Sequence, residues 1–97
     1  TVYSRSRWFM KTESNHHSVK LRVSPTEENK ARNDRLQVFL GGNVAAEITL
    51  GHDGEKTLNI SLDSNGIEQQ FCLELKYLAP HQRFEDALFH VSEITLE

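Results

Sequence analysis

Three features of the sequence predict an all-β fold, an antiparallel β-sandwich of jelly-roll-like character with about seven strands. Apolar and polar residues alternate in several short runs, the period-two signature of strands with one buried face. Turn-forming clusters separate these runs at intervals of roughly 8–12 residues. The best helical candidate, Gln82-Arg83-Phe84-Glu85-Asp86, is a single turn, too short to stand by itself.

In chain order, Arg7-Trp8-Phe9-Met10-Lys11 reads as a short strand and Thr12 to His17 as a polar connection. Val19, Leu21 and Val23 alternate with Lys20 and Arg22, and Leu36, Val38 and Leu40 alternate with Arg35, Gln37 and Phe39. Gly41-Gly42-Asn43 tolerates positive φ, and Val44, Ala46, Ile48 and Leu50 resume the alternation, which describes a hairpin. Gly51-His52-Asp53-Gly54 is the next turn, followed by a strand carrying Leu58, Ile60 and Leu62. Asp63-Ser64-Asn65-Gly66 turns the chain again. Phe71, Leu73, Leu75 and Tyr77 then share one strand face, leaving Gln70, Cys72, Glu74 and Lys76 on the other, so Cys72 points away from the core. In the last strand Phe89 and Val91 are in odd phase but Ile94 and Leu96 in even phase, which predicts a β-bulge near Ser92-Glu93. Ser24 to Asp34 and Leu78 to Ala87 lack periodicity and read as long loops. The predicted inward set is Val19, Leu21, Leu36, Val38, Leu40, Ile48, Leu58, Ile60, Phe71, Leu73, Leu75, Val91 and Ile94.

Size and composition narrow the class. The chain has 97 residues, 37% hydrophobic and 26% charged, the profile of one soluble domain. No apolar run approaches the roughly 20 residues that cross a bilayer. Eleven basic against fourteen acidic side chains give a net charge of −3, a field that repels phosphate backbones, so nucleic acid is not an expected partner. Cys72 is the single cysteine and cannot form an internal disulfide, which points to a reducing, cytoplasmic setting. The Thr1-Val2-Tyr3-Ser4 start suggests a single domain, residues 1–97, excised from a longer protein.

Residue types capable of chemistry are present without the spacing that chemistry needs. His16 and His17 are adjacent, so a strand would aim them to opposite faces, and they read as a solvated loop pair. His52, His81 and His90 are scattered singly. Asp53, Asp63, Asn65 and Asp86 lie in or near turns, where such residues serve the backbone as readily as a Ca²⁺. Cys72 is mid-strand without an activating partner. No nucleophile elbow, phosphate loop or dinucleotide fingerprint occurs, and Glu27-Glu28 reads as a solubilising pair. The sequence therefore points to a protein that is not an enzyme and uses no cofactor or metal.

The aromatic residues carry more. Trp8 is the only Trp, Arg7 adjoins it with Tyr3 nearby, and Tyr77 and Phe84 flank the second long loop. Such a platform can stack on the apolar face of a sugar ring. The competing reading is that Trp8 and Phe84 simply fill the core.

The order of elements, from Arg7-Trp8 through Leu21-Arg22-Val23, Leu36-Gln37-Val38-Phe39-Leu40-Gly41-Gly42-Asn43, Ala46-Glu47-Ile48-Thr49-Leu50, Leu58-Asn59-Ile60-Ser61-Leu62, Leu73-Glu74-Leu75, Pro80 and Val91-Ser92-Glu93-Ile94-Thr95-Leu96, spans most of the chain. It resembles the galactose-binding-like jelly-roll modules carried as accessory domains by bacterial glycosyltransferases. Where those modules show Asp-x-Arg and then Leu-Gly, this chain has Gln82-Arg83-Phe84-Glu85-Asp86-Ala87-Leu88, so no binding residue is carried over. The resemblance implies a non-catalytic carbohydrate-binding module, for which Arg7, Trp8 and Tyr77 are the candidate contacts. The alternative is an interaction or structural sandwich that docks on a neighbouring domain of its parent protein through an edge strand or apolar patch, without membrane insertion.

Overall fold

A computed structural model describes residues 2–13, 15–27, 29–67, 69–79 and 89–97. Their strands are β1 (Val2–Lys11), β2 (Ser18–Pro25), β3 (Asp34–Leu40), β4 (Asn43–Leu50), β5 (Lys56–Ser61), β6 (Gln70–Ala79) and β7 (Phe89–Leu96), with a short 3-10 turn at Asp63–Asn65. They form a sandwich of two antiparallel sheets, four strands in the order β1-β6-β3-β4 and three in the order β5-β2-β7. The all-β sandwich predicted from alternation is the fold observed.

The inner strands carry the cleanest alternation because both of their edges are paired. Val19, Leu21 and Val23 of β2, Leu36, Val38 and Leu40 of β3, and Leu73, Leu75 and Tyr77 of β6 are fully buried. Ile60, Leu50, Leu62 and Phe71 complete the core, and Ile48, Leu58, Val91 and Ile94 pack against it half-buried. Cys72 is on the opposite face of β6 from the core, as its phase requires.

Two bulges set the edges. In β7 the pairing passes from Arg22 with Glu93 to Val23 with Val91, so Ser92 is the extra residue and both Phe89/Val91 and Ile94/Leu96 face inward, as the phase change predicts. In β4 the pairing passes from Val38 with Ala46 to Phe39 with Val44, so Ala45 is extra. That second bulge turns Val44 outward, 55% exposed, although its alternation with Ala46 and Ile48 runs unbroken in the sequence. The β3–β4 hairpin closes through Gly41 and Gly42 at φ 57° and 86°, the two consecutive positive values of a tight primed turn.

Three strands are longer than their composition suggests. β2 runs on to a buried Pro25 paired with Phe89, and β6 runs past Leu78, which pairs with both Tyr3 and Arg35. Likewise β1 starts at Val2, earlier than Arg7. The expected helical turn over 82–86, with His81, Phe84 and Asp86, lies outside the described residues.

Candidate functional site

Among the described residues, the sandwich has a closed side and an open one. At one margin the edge strands β4 and β5 approach each other; at the other, a cleft of about 440 Å³ runs between edge strands β1 and β7. Trp8 and Met10 reach it from β1, and Val91, Ser92, Glu93 and Ile94 from β7. A second hollow of about 400 Å³ lies beside it along β1 and β6, against Met10, Lys11, Gln70, Phe71 and Cys72. Phe9 borders both.

The three residues singled out from sequence are not gathered around this cleft. Trp8 points inward from β1 and is half-buried at the cleft's margin. Arg7 occupies the opposite face of the same strand, where its Nε donates to Glu74 Oε2 at 3.0 Å. Tyr77 is fully buried. Its ring stacks on Phe89, centroids 5.6 Å apart, and its hydroxyl donates to Asp34 Oδ2 at 2.9 Å. Burial and then Asp34, as hydrogen-bond acceptor and as negative charge, push the Tyr77 phenol far above its ordinary pKa; Arg32 opposes this in part. Trp8 is in register with Leu73, and Tyr77 lies four residues farther along β6, roughly 13 Å away at ~3.3 Å per residue. As folded, Tyr77 is a core residue with no surface to offer a ligand.

The outer face of β1 and β6 presents a different set. Arg5, Arg7, Phe9 and Lys11 alternate along β1, all exposed, with Phe9 at 87%. Register places Phe9 beside Cys72, Arg7 beside Glu74 and Arg5 beside Lys76. Glu74 is shared by two guanidinium groups, at 3.0 Å from Arg7 Nε and 4.0 Å from Arg5 Nε. Among the described residues, Arg5, Arg7 and Lys11 thus line this face of β1 around Glu74, a local run of cations on a chain of net charge −3. Phe9 was legible in principle: once Trp8 and Met10 are placed inward, period two puts Phe9 outward among cations.

The other candidates are engaged locally. His16 Nδ1 accepts the Glu13 N–H at 3.0 Å, and His17 Nδ1 lies 3.2 Å from Asp63 Oδ2. Asp53 accepts from Lys56 Nζ at 3.1 Å, and Asn65 Nδ2 donates to the Ser61 carbonyl at 2.7 Å. Among the described residues no group of three or more His, Cys, Asp or Glu converges in a way that could hold a metal ion. No helix among them is long and apolar enough to cross a membrane.

No family model matches the chain. A search of curated proteins likewise finds no match.

Proposed function

We propose that this domain is a non-catalytic interaction module that docks along its open side, at the β1 edge and the β1–β7 cleft. The observation that carries this reading is Phe9, a large apolar side chain 87% exposed on an edge strand whose far side, among the described residues, pairs with no other strand. Leaving such a ring in water is unfavourable by on the order of 1.5–3 kcal/mol relative to burial, and a free strand edge also presents unpaired N–H and C=O groups. A docked partner relieves both.

The test is a titration followed by heteronuclear NMR with a neutral peptide alternating Thr and Val. Saturable shifts confined to β1 and β7, lost in Phe9→Ser, are the expected result. Shifts scattered over the surface, or none at millimolar concentration from this peptide and from versions carrying Glu or Lys in place of Thr, refute edge docking.

The carbohydrate-binding reading retains one favourable observation: Trp8 borders a cleft lined also by Ser92, whose hydroxyl donates to the Arg22 carbonyl at 3.4 Å, and by Glu93, an aromatic residue beside polar ones. Glu93 is partly committed, since Arg22 Nη2 lies 3.3 Å from its Oε1. A saccharide panel in the same titration distinguishes the two: shifts at Trp8, Ser92 and Glu93 without backbone changes along β1 favour a sugar.

A further inference from the structure

We infer that the partner taken by the β1 edge is an extended segment in which acidic residues alternate with apolar ones. This deepens the docking reading and rests on it. Three features of the open side meet in that pattern. An added strand has a side-chain period of two, so its residues fall alternately on the outer face and over the cleft. The outer positions lie next to Arg5 and Arg7, ~6.6 Å apart at i, i+2 spacing, and Lys11, ~13 Å beyond Arg7 with Phe9 between, cations that acidic side chains complement. The inner positions lie over Trp8, Met10, Val91 and Ile94, which apolar side chains cover.

The same cations argue against a second copy of this chain as the occupant. Antiparallel self-pairing centred on Phe9 sets Arg7 opposite Lys11. Centred on Trp8 it sets Arg5 opposite Lys11, and centred on Arg7 it sets that residue opposite itself. Every central register brings two cations face to face, which is destabilising and is a recognised way of guarding an edge against self-association. A partner of opposite charge passes the same guard. Arg5 and Arg7 share the single carboxylate of Glu74 and keep about half of their side-chain surface exposed, so they can turn toward a further anion.

The experiment uses three synthetic peptides of about eight residues, a common strand length, alternating Val with Glu, Lys or Thr. Two readouts are followed: hydrogen exchange of the β1 amides and the emission of Trp8, the chain's only Trp. The Glu–Val peptide is expected to protect β1, shift Trp8 emission to the blue and bind at least ~10-fold tighter than the Lys–Val peptide, the preference shrinking at high salt. In Arg5→Glu/Arg7→Glu the preference reverses. Equal binding of the acidic and basic peptides overturns the acidic partner and leaves edge docking intact. Failure of all three to protect β1 overturns edge docking itself. Tight binding of the Glu–Val peptide with β1 unprotected places the charge effect elsewhere and also overturns the inference. The salt dependence on the unaltered chain decides the matter should the double variant not fold.

Discussion

Replacing Tyr77 by Phe separates a structural tyrosine from a ligand contact. The ring is fully buried and stacked on Phe89, and Phe preserves both relationships. What is lost is one hydroxyl and its 2.9 Å hydrogen bond to Asp34. A hydrogen bond to a charged group contributes about 1.5–3 kcal/mol net, more when the partner is left unsatisfied. Here Asp34 keeps the Arg32 Nε at 2.9 Å, so the lower end applies. A loss of about 1.5–2 kcal/mol corresponds to a fall of ~6–16 °C in Tm for a domain of this size. Urea unfolding followed by circular dichroism measures it: the midpoint should fall with the slope unchanged, because the surface exposed on unfolding is the same. Tyr77→Ala, which also removes the ring, should cost about 3–5 kcal/mol. A Tyr77→Phe variant of unaltered stability that had lost ligand binding would refute the core assignment and restore Tyr77 to the binding surface.

Other outcomes follow from the same geometry. Stability should decline in strongly alkaline solution: the folded-state pKa of Tyr77 is raised above the unfolded value of about 10, so its contribution is complete below that pH and disappears above it. Urea midpoints across that range should therefore show the wild-type advantage over Tyr77→Phe narrowing. Leu73→Asp should abolish the folded state, since an unpaired buried charge costs several kcal/mol against a total of about 5–15; a dispersed NMR spectrum from this variant would overturn the strand phase. Gly51→Ala should cost about 1–3 kcal/mol by overpacking, because a Cβ there would sit 1.7 Å from Asn33 Oδ1, the atom that accepts the His52 N–H. Asn33→Gly in the same chain should recover part of that loss, whereas Gly54→Ala, where the surrounding space is open, should be costly through its φ of 75° alone.

The legible part of the fold was the part that one-dimensional periodicity encodes. Residues on β2, β3 and β6 alternate because each strand has one face against the other sheet, and the bulge at Ser92 showed itself as a slip between Val91 and Ile94. The bulge at Ala45 left no such trace, because Val44 is apolar and fits the pattern whichever way it points. Strand ends depart from the sequence pattern where pairing with distant segments overrides local composition, as for Leu78 between Tyr3 and Arg35. The candidate contacts failed to converge for a related reason. Arg7 and Trp8 are neighbours in sequence, and on a strand this places them on opposite faces. Tyr77 continued the apolar face of β6, and the polar partner that makes its burial tolerable, Asp34, is 43 residues away. Gly51 and Gly54 both mark the turn after β4 in the sequence, for different reasons. Gly51 is required by the close approach of Asn33, while Gly54 in the same turn holds the positive φ.

β1 carries two roles in strict alternation, and register keeps them apart. Trp8 and Met10 close the margin of the core, while Arg5, Arg7, Phe9 and Lys11 face out. A slip of one residue would bring Phe9 inward, expose Trp8 and turn Arg7 toward the cleft. Several contacts hold the register: the antiparallel ladder with β6, the Arg7–Glu74 pair, and Thr12, whose N–H and hydroxyl both donate to the Gln69 carbonyl at the strand's end. The exposed pair gains little from Coulomb attraction alone, so the buried side chains of the ladder and the Thr12 anchor dominate. An edge whose backbone is already ordered loses little further entropy when a strand is added to it, and the greater part of the ordering cost falls on the partner. Selectivity in such an arrangement depends on the side chains flanking the free edge, and here those are the cations surrounding Phe9.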